Sequence, residues 1–312
     1  MILDVLPGAG MQRHLLDVDA LSRTEVDNVL DLAVKMREAR ATRSSRSLLE
    51  AETVGLAFYE ASTRTRVSFE LAAKALGATV VDLNVASSSV GKGESLVDTV
   101  RTLERTGITT LVLRHSAAGA PYLVARCTGM AIVNAGDGMH AHPTQALLDA
   151  LTLREALGPL DGRVIAIVGD VEHSRVARSN LHTLVTLGAR VRLGGPAAWV
   201  RGFEGHPGID VVTNIQDALV GADAVMSLRV QLERSASGGI SSIREYIEHW
   251  RLDEARMRLA APNAPILHPG PTNEGVELTS ELANGPRSLI GRQIENGVPV
   301  RMAALALVTG AA

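Results

Sequence analysis

The chain has 312 residues, enough for two domains of ordinary size, and 46% of them are hydrophobic although only 3% are aromatic, so its cores must be built from Ala, Val and Leu. A net charge of −3, from 31 basic and 34 acidic residues, argues against a general nucleic-acid binder, and the scarcity of aromatic rings argues against base stacking. The single cysteine, Cys127, can form neither an internal disulfide nor a thiolate metal site of its own, which leaves a reducing, cytoplasmic setting as the default.

Residues 1–13 read as a loose leader; the first seven are apolar but lack the basic flank of a signal peptide. No apolar run approaches the ~20 residues of a membrane span. Ser22 and Glu25 have capping-box spacing, opening a helix whose Val26, Val29, Leu30, Ala33 and Val34 keep helical periodicity. After a polar loop at 43–47, residues 54–60 read as a buried parallel strand and 65–76 as a helix stopped by Gly77. Strands at 79–83, 109–113 and 131–134 alternate with helices at 96–106, near 122–128 and at 144–157. The pattern restarts beyond the 158–162 turn with strands at 163–170, 190–193, 210–212, 224–228 and 265–267, a helix at 174–187, and a last apolar helix at 300–309. This alternation predicts an α/β chain of two consecutive doubly wound parallel-sheet domains with the active site in the cleft between them. The expected boundaries are 1–150 and 151–296, with the C-terminal helix, 297–312, packing back on the first domain.

Ligands of open parallel sheets bind beyond the carboxyl ends of the strands. At the first such end stand Ser62-Thr63-Arg64-Thr65-Arg66. The amides of a helix start, neutral hydroxyls and planar guanidiniums together suit a phosphate or phosphate ester. A capping Ser/Thr followed by solvated arginines is the bland alternative. Other strand ends carry a Ser/Gly/Lys loop, Arg114, the loop to His142 and Gln145, the 170–175 stretch, Arg229-Val230-Gln231, and Pro269-Gly270-Pro271. Singly, Arg114 reads as a surface cation, His142 as a helix cap and Gln145 as a solvated helix residue; their convergence is what favours a site. Gly169-Asp170 lacks the remaining glycines of a dinucleotide fingerprint, no G-x-S-x-G elbow occurs, and His140-Ala141-His142 has no nearby third ligand. No metal and no cofactor are expected.

The 58–70 stretch, Phe-Tyr-Glu-Ala-Ser-Thr-Arg-Thr-Arg-Val-Ser-Phe-Glu, resembles the carbamoyl-phosphate signature of the aspartate/ornithine carbamoyltransferase family, and the likeness extends over roughly 13–309. It implies transfer of a carbamoyl group from carbamoyl phosphate to the α-amine of L-aspartate, an early step of pyrimidine synthesis. Ser62, Thr63, Arg64, Thr65 and Arg114 would bind the phosphate; Thr65, Arg114 and His142 would also donate to the carbonyl oxygen, making Arg64, Thr65, Arg114 and His142 the catalytic set. Gln145 and the 269–271 turn (Pro269, Gly270, Pro271) would hold the carbamoyl group. Arg175, Arg229, Gln231 and Lys92 would take the aspartate carboxylates. The family pattern implies a homotrimer in which Ser88 and Lys92 reach a neighbouring subunit's site, and a closure role for Glu60 and Arg234. Regulatory or dihydroorotase-type chains are conceivable further partners; nucleic acid and membrane are not expected. Two positions depart from the pattern: Ser116, where Pro is usual, and Glu274, where relatives often carry Arg. The ornithine branch is the nearest alternative, but its H-C-L-P is replaced here by His268-Pro269-Gly270-Pro271. A non-catalytic anion-binding homologue is the alternative of another class.

Overall fold

The structure is a computed structural model and describes residues 13–83, 94–231 and 242–312. It contains two compact units. One comprises the described residues up to Leu148 together with Glu295–Ala312, the other Asp149–Ile294. The chain passes from one unit to the other inside the helices Pro143–Leu157 and Ile290–Val308. The 158–162 turn, beyond which the strand–helix pattern restarts, lies within the second unit, because the helix before it is continuous up to Leu157.

The first unit is built on β1 (His14–Leu15), β2 (Thr53–Phe58), β3 (Thr79–Leu83), β4 (Thr110–His115) and β5 (Ala131–Asp137). They form a wholly parallel sheet in the order β1-β5-β4-β2-β3. Val54, Leu56 and Ala57 are buried in succession rather than alternately, as expected of a strand covered on both faces. Ala57, Leu111, Leu113 and Ile132 share a core with Val100 and Val124 from two helices. The second unit repeats the plan with β6 (Val164–Val168), β7 (Arg190–Gly194), β8 (Ile209–Val212), β9 (Ala224–Ser227) and β10 (Ile266–Leu267), ordered β10-β9-β6-β7-β8 and again parallel. Its core gathers Trp199, Tyr246 and Trp250 around Ala166, Val168 and Val225.

Each sheet reverses direction once. β2 has β3 on one side and β4 on the other, and β6 has β7 on one side and β9 on the other. The crevices at these switch points, beyond the strand ends, are where open α/β sheets take ligands.

The capping box forms as its spacing predicted, with Ser22 and Glu25 closing on each other's backbone at the start of Arg23–Thr42. The helix after β2 starts at Thr63, before the expected 65. The last helix starts at Ile290, well before residue 300, and carries Pro299 inside it. In the first unit this helix is fastened by Arg301, which donates to Ser68 Oγ at 2.8 Å and lies over the Phe69 ring at 5.1 Å, and by Arg37, which donates to Asn296 at 2.7 Å. β1 and the short helices Ala197–Val200, Ile215–Leu219, Ile243–Trp250, Glu254–Met257 and Ser280–Asn284 were not expected. Among the described residues no helix is long and apolar enough to cross a membrane.

Candidate active site

At the first switch point β2 and β4 run side by side, with Phe58 in register with Arg114. Ser62 is the N-cap residue of the helix Thr63–Ala75 but makes no side-chain cap bond. Its hydroxyl is thus not spent in the way the bland alternative required. Thr65 is buried while Thr63 and Arg64 are exposed. Arg114 Nε lies 3.4 Å from Glu60 Oε2, and its Nη1 donates to the Ala135 carbonyl at 3.3 Å. Glu60, singled out for closure, therefore has an ion pair inside its own unit. Ser88, Lys92 and Arg234 lie outside the described residues.

His142 is 4% exposed and stands at the cap position of Pro143–Leu157, its carbonyl accepting from the amides of Gln145 and Ala146 at 3.0 and 3.2 Å. Gln145 is buried in the first turn. What fixes this loop is the last residue of β5, which the sequence did not single out. Asp137 is fully buried; its Oδ1 accepts from Asn134 Nδ2 at 2.9 Å and the Ala141 amide at 3.1 Å, and its Oδ2 accepts from the Gly119 amide at 2.7 Å. His140 Nδ1 sits 3.1 Å from the same Oδ2. One carboxylate therefore ties the loop after β4, which follows Arg114, to the loop after β5, which leads to His142. Gly138 completes the seam. Its amide donates to the His115 carbonyl at 2.9 Å, its φ is +48°, and a Cβ there would meet Ala118 N and Ser116 O at 2.9 Å. His115 Nδ1 accepts from the Ala117 amide at 2.9 Å. Burial pushes the His115 imidazole below its usual range, against the opposing influence of the Glu60 and Asp137 carboxylates.

At the second switch point Arg175 opens the helix Arg175–Thr186 and is only 7% exposed. Ser174 caps that helix, accepting from the Ala177 amide at 3.1 Å. The Gln231 amide donates to Asp170 Oδ2 at 3.0 Å, and Gln231 Nε2 donates to the His173 carbonyl at 2.8 Å. His173 Nδ1 lies 2.7 Å from Asp170 Oδ1. The structure thus joins the 170–175 and 229–231 stretches, with Arg229 half-buried between buried Leu228 and Val230. Beyond β10 a relay positions the 269–271 turn: the Gly270 amide donates to His268 Nδ1 at 2.8 Å, the His268 amide to Gln293 Oε1 at 2.9 Å, and Gln293 Nε2 to buried Asp149 Oδ1 at 2.7 Å. Glu274 accepts from Ser280 Oγ at 2.7 Å, so the acid at this unusual position has a local partner.

A cavity of about 490 Å³, bordered by Pro196, Asn214, Tyr246, Trp250 and Arg256, lies at other strand ends of the second unit and contains none of the anticipated residues. Among the described residues no three His, Cys, Asp or Glu side chains are grouped to hold a metal.

Two successive parallel sheets, with hydroxyls and guanidiniums placed beyond their strand ends, define the class: a two-unit parallel-sheet α/β protein. The chain belongs to the aspartate/ornithine carbamoyltransferase family. The family's carbamoyl-P binding domain matches residues 13–155 and its Asp/Orn binding domain matches residues 161–308. The aspartate carbamoyltransferase catalytic subunit of Gluconacetobacter diazotrophicus is 50% identical over 300 residues, covering 96% of this chain and 94% of its own length. That of Sorangium cellulosum is 51% identical over 295 residues, covering 94% and 92%. Aspartate transcarbamoylase from Trypanosoma cruzi, solved with N-(phosphonacetyl)-L-aspartic acid, aligns with a TM-score of 0.87 at 31% identity over 98% of this chain and 99% of that one. Ornithine carbamoyltransferase from Thermus thermophilus aligns with a TM-score of 0.83 at 28% identity, over 96% and 99%.

Proposed function

We propose that this chain transfers the carbamoyl group of carbamoyl phosphate to the α-amine of L-aspartate, giving N-carbamoyl-L-aspartate and phosphate in pyrimidine synthesis. The observation that carries the proposal is the occupation of both switch points by anion-matched donors, Ser62 to Thr65 with Arg114 in one unit and Arg175, Arg229 and Gln231 in the other. In the first set the hydroxyls, the helix-start amides and the guanidiniums of Arg64 and Arg114 hold the phosphate. Thr65, Arg114 and His142 donate to the carbonyl oxygen as it gains charge. Gln145 and the carbonyls near Pro269 and Gly270 accept from the carbamoyl NH₂. Arg175, Arg229, Gln231 and Lys92 bind the two aspartate carboxylates.

Carbamoyl phosphate is already activated, so the reaction needs no cofactor. The neutral amine attacks the carbamoyl carbon, the bond from that carbon to the phosphate oxygen breaks, and the departing phosphate takes the amine proton. Holding both substrates in attacking geometry supplies much of the acceleration. The working form is a cytoplasmic homotrimer in which Ser88 and Lys92 serve a neighbouring subunit, and Glu60 and Arg234 stabilise closure.

The acceptor is tested by offering L-aspartate and L-ornithine together with radiolabelled carbamoyl phosphate. The expected product is N-carbamoyl-L-aspartate alone; label in citrulline would assign the chain to the ornithine branch.

A further inference from the structure

Behind the 229–231 segment lies a carboxylate that the proposed chemistry does not use. Glu277 is fully buried, and Oε1 accepts from the Val230 amide at 2.9 Å while Oε2 accepts from the Asn273 amide at 2.8 Å. Asn273 Nδ2 donates both to Glu277 Oε1 at 2.6 Å and to the Val230 carbonyl at 3.1 Å. The pair therefore holds the N–H and the C=O of one residue, Val230, whose own side chain is buried in the core. The Glu277 carbonyl is in turn bonded by the Leu252 amide at 2.8 Å, and Leu252 is also in the core. The next amide along, that of Gln231, is held by Asp170 at 3.0 Å. The backbone between Arg229 and Gln231 is thus gripped from both sides by buried carboxylates, with no freedom to rotate without breaking a charge-assisted bond.

We propose that Glu277, with Asn273, is a positioning residue: it sets the direction in which Arg229 and Gln231 leave the backbone, and hence the fit of the acceptor's carboxylates. The inference rests on the reading of Arg229 and Gln231 as acceptor ligands given above. Two features argue for positioning rather than packing. An ion buried this deeply is costly, and an apolar side chain of similar volume would fill the space more cheaply. Burial does push the Glu277 carboxyl above its ordinary range, and the bonds from Val230 and Asn273 work against that shift. The bonds are also made to the backbone of Val230, between two residues with proposed ligand roles, where small rotations move a long side chain's tip far.

The test uses the full-length chain carrying Glu277→Gln, which keeps the shape but turns one acceptor into a donor facing an amide. The expected result is a rise of about tenfold or more in the KM for L-aspartate with carbamoyl phosphate affinity unchanged. Amide exchange at Val230 and Asn273 is expected to accelerate by a similar factor while Ala177 and Gly270 stay protected. Asn273→Ala, which releases the Val230 carbonyl, should shift the same KM in the same direction and serves if the first variant does not fold. Unchanged exchange at Val230 overturns the proposed grip. Faster exchange with an unchanged KM for L-aspartate, or an equal fall in both substrates' affinities and in the unfolding midpoint, overturns the positioning role. If the unaltered chain carbamoylates no L-aspartate, the proposed function fails instead, and the exchange measurement still judges the grip.

Discussion

Replacing Asp137 by Asn is the sharpest probe of how the first unit holds together the loops beyond β4 and β5. The substitution is nearly isosteric, so it leaves no cavity; what changes is one oxygen, which becomes an NH₂. If that is Oδ1, the Asn134 carboxamide and the Ala141 amide lose their acceptor; if it is Oδ2, the Gly119 amide and His140 do. Either way at least one buried donor faces another donor, at a cost of about 1–3 kcal/mol. Asn in the first orientation frees the loop leading to His142; in the second it frees the loop that follows Arg114. Exchange of the Ala141 or Gly119 amide through local opening should then quicken by about tenfold to a hundredfold. Asp137→Ala takes this acceptor from all of them at once, although Asn134 keeps its bond to the Leu16 carbonyl and His140 its contact with Asp17, and should cost about 3–5 kcal/mol, as breaking a buried charge network does. Amide exchange followed by mass spectrometry or NMR, together with urea unfolding, reads both numbers. If both amides keep their protection in Asp137→Asn, and Asp137→Ala moves stability by less than about 0.5 kcal/mol, the carboxylate is not the tie between these loops.

Two further outcomes bear on the same seam. The His115 imidazole should titrate below 6.5 by NMR, because burial disfavours its charged form. Since its folded pKa lies below the unfolded one, the stability it contributes is present at neutral pH and is lost as pH falls through the folded pKa; a titration at or above 6.5 would contradict this. Gly138→Ala places a Cβ 2.9 Å from two backbone atoms in a left-handed conformation, and should cost about 1–3 kcal/mol in urea unfolding, with a loss below about 0.5 kcal/mol counting against a close approach of the loops.

Much of this chain is legible before folding because parallel strands announce themselves as short apolar runs, as 54–58 and 164–168 do. The strand ends then point to the candidate residues without any knowledge of distances. Other features are hidden for identifiable reasons. β1 is two residues long, too short for any period, and exists because it pairs with β5. The start of the last helix is obscured by Gly297 and Pro299, which read as breakers, and by a polar first half; its attachment through Arg301 to Ser68 and Phe69 is a long-range contact. The short helices around 197, 215, 254 and 280 have no room for an amphipathic pattern, and only caps such as Asn214, Asp253 and Thr279 signal them. Asp137 and Glu277 escape notice because a buried carboxylate differs from a surface one only in its partners. Gly119 lies 18 residues from Asp137, and Val230 lies 47 from Glu277.

Under the proposed chemistry Arg64 serves carbamoyl phosphate and Arg229 serves L-aspartate. The most direct measurement is the initial rate of N-carbamoyl-L-aspartate formation by the unaltered chain, by Arg64→Ala and by Arg229→Ala. The expected result is robust turnover in the first and a fall of about a hundredfold or more in each variant, with Arg64→Ala losing carbamoyl phosphate affinity and Arg229→Ala losing L-aspartate affinity. Turnover that survives both substitutions, or an unaltered chain that forms no such product, would contradict it.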